Sequence, residues 1–382
     1  MSRAFVVNSG SSSIKFQVID LDTETVVESG VLERIGLTGG DAPSHPDGMR
    51  MILEQLGDVS TITVVGHRVV HGGLEFTEPT LITDEVIDSI DALSPLAPLH
   101  NPANLIGIRA AREVLPGVPH VAVFDTAFHH TLPAEAYKYA IDSSIAERFA
   151  IRKYGFHGSS HKFVSERAAE FLDKPVSEVN LIVLHLGNGS SVTAIDGGKS
   201  VDTSMGLTPL QGLVMGTRSG DIDPSVVFHL NREAGMSMPE IDEMLNSSSG
   251  MVGLTGFSDM RDVEDAISRG DERARIGLGV WRHRVRHYIG AYVAQLGRVD
   301  ALVFTAGIGE NSAHLRAISC QGLEHLGIVL DQGRNESDAR EARDIGSDES
   351  QVRILVVPTN EELEIARQAV GVVHKSTAPT NE

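Results

Sequence analysis

The chain has 382 residues, of which 41% are hydrophobic, and it carries a formal net charge of −20. At about 150 residues per domain, this length predicts two or three domains. A strongly acidic surface repels nucleic acid and anionic lipid, so neither is an expected partner. The single cysteine, Cys320, excludes an internal disulfide framework and a four-cysteine zinc site.

The N-terminal residues and the apolar runs predict a cytoplasmic protein. An apolar segment begins at Ala4, without the basic, apolar and small-residue regions of a secretory signal peptide. No uninterrupted apolar run approaches the roughly 20 residues that a membrane-spanning helix requires.

Two similar strand–turn–strand segments, far apart in the sequence, predict a duplicated fold. The first has strands over Ala4–Val7 and Ile14–Ile19, joined by a serine-rich turn at residues 8–13. The second has strands over Asn180–Leu186 and Ser191–Ile195, joined by a glycine-rich turn. Two copies of one unit favour two homologous domains, although hairpins of this kind are common.

The rest of the chain alternates apolar segments with segments of helical spacing, which indicates α/β layers with mixed sheets. Further strands are predicted at Val64–Val70, His120–Phe124, Ala301–Thr305 and Val352–Val357. Helices are predicted at Met49–Leu56, Asn101–Val114, Phe163–Leu172, Ile276–Leu296 and Glu361–Val373. The polar segment 331–350 is expected to form exposed helix and loop, and residues 375–382 are expected to fray.

The turn from Asn8 to Lys15 has a composition suited to phosphate. Its glycine and small hydroxyl residues, including Ser11 and Ser13, let backbone N–H groups approach a phosphate closely. Lys15 can place an ammonium on an outer phosphate, and Asn8 can contact metal-bound phosphate or water. A serine-rich turn alone is more often structural than functional, so other segments have to support this interpretation.

A P-loop is not present to bind the phosphates. Residues 197–200 (Gly-Gly-Lys-Ser) resemble the end of one, but Thr193 stands where the first glycine is required. Residues 196–198 (Asp-Gly-Gly) are better interpreted as a hairpin turn.

Three further segments support nucleotide binding. Residues 187–190 (Gly-Asn-Gly-Ser) repeat the glycine-rich turn. Residues 305–311 (Thr-Ala-Gly-Ile-Gly-Glu-Asn) follow a strand and precede a helix, where glycines admit a nucleotide, but they lack the full dinucleotide pattern of a Rossmann fold. After the last strand, Asn360 can cap a helix, and Glu361 can face a metal ion.

Several polar residues suit phosphoryl transfer. Arg68 ends an apolar strand and Arg218 lies between glycines, positions where an arginine often binds an anion. Asp125 follows a strand, where a carboxylate can bind a metal, contact the acceptor or cap the next turn. His157, flanked by glycines at 155 and 158, is a candidate donor to phosphoryl oxygens. Histidine pairs four residues apart lack the glutamate and third ligand of a zinc site, which disfavours zinc.

Together these segments resemble the signature blocks of the acetate kinase family. The blocks are residues 8–15, 67–73, 154–161, 185–191, 215–224, 305–311 and 358–362, in the family's order. The resemblance implies an α/β fold of two ribonuclease-H-like domains, as in sugar kinases and actin, with mixed sheets flanked by helices and an ATP cleft between them. The expected domains are residues 1–125 with 362–382, and residues 126–361.

The resemblance also implies a reaction and its residues. ATP would reversibly phosphorylate acetate in a homodimer that uses Mg²⁺, with Mn²⁺ as a substitute. Matching positions imply Mg²⁺ ligation by Asn8 and Glu361, catalysis by Arg68, Asp125, His157 and Arg218, and substrate binding by Arg68, Val70, Leu99 and Pro209. They imply nucleotide binding by Ser11, Ser13, Lys15, His185, Leu186, Gly187, Asn188, Gly189, Asp259, Met260, Arg261, Gly307, Ile308, Gly309, Glu310 and Asn311.

Three alternatives remain open at this point. A propionate or butyrate kinase would use the same chemistry with a wider pocket, and one methylene is worth only about 1–3 kcal/mol. A sugar kinase is less favoured, because a hydroxyl acceptor needs a general base. An actin-like or chaperone-type ATPase would hydrolyse ATP without regard to acetate.

Overall fold

The computed structural model describes residues 2–377, which form two compact units. The first unit comprises Met1–His130 and Asn360–Glu382, and the second comprises Thr131–Thr359. Each unit contains one six-stranded sheet. Among the described residues, no helix is long and apolar enough to cross a lipid bilayer.

The strands and helices alternate along much of the chain. The strands are β1 (Arg3–Ser9), β2 (Ile14–Asp20), β3 (Thr25–Leu32), β4 (Ile62–Val69), β5 (Thr80–Leu81), β6 (His120–Phe124), β7 (Asn180–Leu186), β8 (Ser190–Asp196), β9 (Lys199–Thr203), β10 (Ala301–Thr305), β11 (Arg343–Asp344) and β12 (Arg353–Val356). The α-helices are α1 (His45–Leu56), α2 (Asp84–Ala92), α3 (Asn101–Val114), α4 (Ala134–Tyr137), α5 (Ser143–Arg148), α6 (Gly158–Phe171), α7 (Ser225–Glu233), α8 (Met238–Ser247), α9 (Gly250–Thr255), α10 (Met260–Ser268), α11 (Glu272–Leu296), α12 (Ala306–Asn311), α13 (Ala313–Cys320), α14 (Gln332–Asn335) and α15 (Glu361–Thr377). Short 3₁₀ helices occur at Ser94–Leu96, Ala127–Thr131, Val176–Glu178 and Glu324–Leu326.

The two sheets have the same topology. The order in the first unit is β3-β2-β1-β4-β6-β5, and in the second it is β9-β8-β7-β10-β12-β11. In each sheet three antiparallel strands are followed by two parallel ones and a short antiparallel edge strand. This duplication confirms the predicted α/β class of two ribonuclease-H-like domains with mixed sheets.

Helices cover the sheets and bury their apolar side chains. In the first unit α15 packs against β1, β4 and β6, whereas α1 and α3 pack together beside β1. In the second unit the long helix α11 packs against β7 and β8. The central parallel strands β6 and β10 are buried along their whole length, as expected for strands covered on both faces.

The local predictions agree with the structure where a segment is apolar and central. The predicted strands at Asn180–Leu186, His120–Phe124 and Ala301–Thr305 match residue for residue. The sequence pattern did not identify β3 and β9, whose partly exposed side chains lack a clear period-two pattern.

Two further local predictions have different outcomes. The turn at residues 196–198 is a hairpin turn, because Gly197 and Gly198 have φ values of 55° and 78° and connect β8 to β9. The prediction of exposed helix and loop over 331–350 is wrong in part, since the segment contains β11 and the fully buried Ile345. The helix α15 continues to Thr377, and residues 378–382 of the predicted frayed tail lie outside the described residues.

Candidate active site

The turn between β1 and β2 is closed by its own backbone. Gly10 N–H donates to the Ser13 carbonyl at 2.8 Å, and the Gly10 carbonyl lies 2.9 Å from His45 Nε2 on α1. At the ends of the turn, Asn8 and Lys15 are paired directly across the antiparallel ladder. Their side chains therefore lie on one face of the sheet. We call residues 8–15 the phosphate turn.

Lys15 ends the phosphate turn and forms an ion pair with Glu362 in the first turn of α15. The Lys15 side chain is 54% exposed, whereas that of Glu362 is 14% exposed. The ammonium group is thus accessible, and a phosphate could compete with the carboxylate for it. The Ser11 side chain is exposed and the Ser13 side chain is half-buried.

Arg68 and Asp125 meet at the ends of two neighbouring parallel strands. Arg68 is the penultimate residue of β4, and Asp125 directly follows β6. Arg68 Nε donates to Asp125 Oδ1 at 3.0 Å and Nη2 donates to Oδ2 at 2.7 Å. A bidentate pair of this kind fixes the plane of the guanidinium group.

Glu361, the first residue of α15, lies in the electrostatic field of this pair. Burial raises the pKa of the Glu361 carboxyl, Arg68 opposes that rise, and Asp125 and Glu362 add to it. Burial also opposes the charge on Arg68, but Asp125 and Glu361 outweigh it, so the pKa of Arg68 is raised. The first unit therefore gathers one guanidinium and several carboxylates within electrostatic reach of one another.

The second unit has its own glycine-rich turn, at residues 187–190, between β7 and β8. The Gly216 N–H donates to the Asn188 carbonyl at 3.0 Å, which connects this turn to the loop that carries Arg218. A Cβ atom on Gly189 would lie 2.9 Å from Arg218 Nη2 and 3.5 Å from His157 Nε2. The absence of a side chain at 189 thus leaves room where a guanidinium and an imidazole converge.

His157 is held in place from several sides. It precedes α6 in a left-handed backbone conformation, with a φ of 58°. Its ring stacks on His185 with 4.1 Å between the ring centroids, and its Nδ1 lies 2.9 Å from the buried Ser191 hydroxyl. Arg218 is anchored separately, because its Nη1 donates to the Pro209 carbonyl at 2.7 Å. The His157 imidazole and the Arg218 guanidinium are therefore both fixed next to the glycine-rich turn.

A cavity of about 860 Å³ lies in the second unit beside the same turn. The predicted nucleotide-binding residues that line it are Gly187, Asn188, Asp259, Met260, Arg261, Gly307, Ile308 and Asn311. Hydrogen bonds from Arg261 lower the pKa of the Asp259 carboxyl to about 2, so the pair is ionised at its rim at neutral pH. A cavity of this size accommodates a small-molecule ligand.

Other predicted nucleotide-binding residues do not line this cavity. Those are Ser11, Ser13 and Lys15 of the first unit and His185, Leu186, Gly189, Gly309 and Glu310 of the second. Leu186 is fully buried in the core, and Glu310 Oε1 accepts hydrogen bonds from the N–H groups of Ala306 and Thr359 at 2.8 and 3.1 Å. Glu310 thus ties the end of β10 to the loop after β12.

The residues predicted to form the methyl pocket belong to different units. Val70 and Leu99 belong to the first unit, where Val70 is 7% exposed and Leu99 is 60% exposed. Pro209 belongs to the second unit, where its carbonyl holds Arg218.

The sequence did not identify several residues of the cavity. These are Ser258, Glu264, Ser312, Ala313, His314 and Leu315. His314 Nδ1 lies 2.6 Å from Glu264 Oε1, so the two form a polar pair in the lining. Since α13 begins two residues after α12, a helix boundary after residues 305–311 could have indicated Ser312 to Leu315.

Comparison with known proteins identifies the family. The sequence pattern of the acetokinase family matches residues 3–367 of this chain. A protein of Clavibacter michiganensis named acetate kinase is 56% identical over 392 residues, which cover 97% of this chain and 99% of the relative.

Two solved structures are similar over nearly the whole chain. The crystal structure of Porphyromonas gingivalis acetate kinase has a TM-score of 0.92 and 41% identity, covering 98% of this chain and 100% of that one. A propionate kinase from Francisella tularensis has a TM-score of 0.92 and 42% identity, covering 97% and 100%. Because the family match spans residues 3–367 and the relative is 56% identical over nearly its whole length, this chain belongs to the acetokinase family.

Proposed function

We propose that this protein transfers the γ-phosphoryl group of ATP to acetate, reversibly, giving ADP and acetyl phosphate. The observation that carries the proposal is the buried Asp125 carboxylate, which fixes the Arg68 guanidinium at a strand end. That pair accounts for two of the five N–H donors of an arginine. An oriented guanidinium suits an anionic acceptor such as a carboxylate or its phosphorylated product.

The chemical difficulty in this reaction is repulsion between anions. A small carboxylic acid has a pKa near 4 to 5, so the acceptor is already ionised at neutral pH and needs no strong base. It has to approach a polyanionic phosphate, and positive groups lower the cost. Asp125 is bonded to Arg68 through both oxygens, which fits an orienting role better than that of a proton acceptor.

His157 and Arg218 are suited to the transferring phosphoryl group. Both converge on Gly189 in the glycine-rich turn of the second unit. Donors fixed before the reaction stabilise charge that develops in the transition state, without reorganisation during the step. We therefore infer direct in-line transfer, without an obligatory phosphoenzyme, from a nucleotide bound in the adjacent 860 Å³ cavity.

The first unit also fits a divalent cation. Mg²⁺ is usually held by one or two protein oxygens together with substrate phosphates and water. Asn8 and Glu361 would hold it, because burial and neighbouring carboxylates raise the pKa of Glu361 and a cation would offset that cost. Bound Mg²⁺ would neutralise phosphate charge, and Mn²⁺ has compatible ligand chemistry.

A homodimer is the oligomeric state that we propose. The second unit exposes large apolar side chains at two helical segments, α5 and α7. Ile141, Ile145 and Phe149, in and beside α5, are 48%, 50% and 56% exposed, and Phe228 on α7 is 56% exposed. The helix α7 buries none of its residues. Exposed apolar surface of this kind often marks a protein interface.

A cytoplasmic location follows from the use of ATP as phosphoryl donor.

Propionate is the second candidate acceptor. The Francisella tularensis structure of nearly equal similarity is named a propionate kinase, and a single methylene changes binding by only about 1–3 kcal/mol. Either acid would be phosphorylated through the same proposed residues of this chain, and the two differ only in the space that they require in the methyl pocket.

The proposal is tested by trapping the acyl phosphate with hydroxylamine. The full-length protein with ATP and Mg²⁺ is assayed on the two- to four-carbon acids. We expect hydroxamate from acetate, and a loss of about 100-fold or more in turnover in Arg68→Ala and in Arg218→Ala. Arg275→Ala serves as control, since Arg275 is 65% exposed and pairs within α11. ATP hydrolysis that is indifferent to acetate would instead indicate a chaperone-type ATPase.

A further inference from the structure

We propose that Asn104 is a positioning residue that fixes the phosphate turn relative to the segment carrying Arg68. We call residues 68–71 the Arg68 segment. The inference rests on the proposed function, because it depends on the roles of Asn8 and Arg68. Asn104 lies on α3 in the first unit and is 4% exposed.

The backbone pairing between β1 and β4 ends one residue before Asn8 and Arg68. The parallel pairs run from Arg3 with Ile62 to Val7 with His67. Asn8 and Arg68 are the next residues on the two strands, directly beyond the last pair. The paired register between these two strands therefore ends one residue before Asn8 and Arg68 and does not extend along the phosphate turn or the Arg68 segment.

The Asn104 side chain bridges this gap. Its Nδ2 donates to the Ser9 carbonyl at 2.8 Å, and its Oδ1 accepts from the Val70 N–H at 3.1 Å. A backbone carbonyl can only accept and a backbone N–H can only donate, so the two partners define the amide orientation. One side-chain amide thus takes the place of a peptide group and extends the link between the strands.

Asn101, one turn earlier on α3, provides a built-in comparison. It is fully buried, its Oδ1 accepts from the His71 N–H at 3.1 Å, and its Nδ2 donates to the His71 carbonyl at 3.0 Å. It makes as many hydrogen bonds to backbone as Asn104 does, but both go to the Arg68 segment. Only Asn104, of the two, joins that segment to the phosphate turn.

The approach of α3 to the phosphate turn depends on Gly107. This residue lies three positions after Asn104, on the same side of the helix. A Cβ atom there would lie 2.0 Å from Ser9 Oγ and 2.5 Å from Ser9 Cβ. The helix therefore contacts the turn closely enough for the Asn104 amide to reach the Ser9 carbonyl.

The link matters because phosphoryl transfer depends on alignment. A displacement of about 1 Å in a group that positions a substrate can cost about 100-fold in rate. If the Asn104 bridge is lost, the phosphate turn and the Arg68 segment can shift independently. Their own contacts, through His45 and Asp125, remain in place.

The test compares full-length Asn104→Ala, Asn104→Asp and Asn101→Ala with the unchanged enzyme. We expect similar falls in melting temperature for the two alanine variants, since each removes two buried hydrogen bonds. The kcat of Asn104→Ala should fall at least about tenfold further than that of Asn101→Ala. Asn104→Asp keeps the side-chain shape and the acceptor for Val70, but its second oxygen repels the Ser9 carbonyl, so its kcat should fall similarly.

Hydrogen–deuterium exchange provides a readout that does not depend on activity. Asn104→Ala should speed exchange in peptides covering both residues 9–15 and 68–73, and Asn101→Ala only in the latter. The proposal is overturned if the two alanine variants lose kcat within about threefold of each other, or if exchange in Asn104→Ala changes only at 68–73. If an alanine variant does not fold, Asn104→Asp decides by the same criteria. An inactive wild type would refute the proposed function, while the exchange experiment would still test the bridge.

Discussion

Asp125 holds Arg68 through both oxygens of its carboxylate, one accepting from Nε at 3.0 Å and the other from Nη2 at 2.7 Å. The Asp125 side chain is 2% exposed and that of Arg68 is 22% exposed, so the pair lies largely away from water. Each charge is stabilised by the other, because burying a charge without a partner costs free energy of folding. The pair thus explains both a rigid guanidinium and a sensitivity to the loss of either member.

Two substitutions of Asp125 should separate its role in orienting Arg68 from its contribution to stability. Asp125→Asn keeps the size of the side chain but weakens its hold on Arg68, and we expect kcat to fall about 100-fold. Asp125→Ala leaves Arg68 without its charge partner and should cost about 3–5 kcal/mol in the free energy of unfolding by urea. Asp84→Asn is the control, since Asp84 is 86% exposed in its pair with Arg112 and should change stability by less than about 1 kcal/mol. Normal turnover in Asp125→Asn would contradict the orienting role.

Glu361 should make the metal-free protein less stable as the pH rises. Its native pKa is raised by burial above the ordinary value of 4.5. Below about pH 4.5 the carboxyl is protonated in both states, and as the pH rises through the native pKa the folded protein has to ionise a buried group, so stability is lost. Glu361→Gln should therefore be more stable than the wild type at neutral pH in EDTA, and the difference should shrink towards pH 4.5.

The measurement is the melting temperature between pH 4.5 and 8 with and without Mg²⁺. Glu113→Gln, at a position 59% exposed, is the control and should follow the wild-type curve. Added Mg²⁺ should stabilise the wild type more than Glu361→Gln, since a ligand of the native state stabilises it by mass action. Identical pH curves for wild type and Glu361→Gln would exclude the inferred cost of ionisation.

The buried strands could be predicted because each contains an apolar run in the sequence. Polar residues that directly follow such a run could be placed at the edge of a sheet in the same way. The run over His120–Phe124 is a central strand, and its end places Asp125 at the sheet edge. The two similar hairpins correspond to β1–β2 and β7–β8, which occupy equivalent positions in the two sheets. Composition and periodicity are local signals, and these features are local.

The contacts that bring distant segments together could not be predicted in the same way. Asn104 was part of a predicted helix, but its partner Ser9 lies 95 residues away, and nothing in the local pattern identifies the carbonyl that it meets. Glu310 is predicted from the family resemblance to bind the nucleotide, and nothing in its local pattern indicates that its carboxylate accepts from the Thr359 backbone 49 residues later. Side-chain direction depends on tertiary packing, which a single sequence does not specify.

A methyl group at position 189 should interfere with catalysis while leaving the fold intact. The Cβ of Gly189→Ala would lie 2.9 Å from Arg218 Nη2, so the guanidinium has to move by a few tenths of an ångström or more. We expect kcat to fall by about tenfold or more, because Arg218 would no longer converge with His157 on the turn.

Gly279→Ala on α11 is the matched control for this variant. A Cβ there meets no heavy atom within 4 Å. The substitution should leave kcat unchanged and stabilise the helix by about 0.5–1 kcal/mol. Circular dichroism melts and the hydroxamate assay check both variants. Equal activity of the two alanine variants would show that the space at Gly189 is not used.

Val70 should influence which acid is accepted. Its side chain is 7% exposed, and its N–H is held by Asn104, so the backbone at this position is fixed while the side chain can be shortened. Val70→Ala should raise the ratio of kcat/KM for propionate to that for acetate by about fivefold or more, since each methylene accommodated in an apolar pocket is worth about 1–3 kcal/mol. Val65→Ala removes the same two methyl groups from the fully buried core. It should lower stability by a comparable amount and leave the ratio unchanged. The assay is hydroxamate formation from the two acids over a range of concentrations. A ratio that shifts equally in both variants would mean that general loosening of the unit, and not the Val70 side chain, sets the preference for the acid.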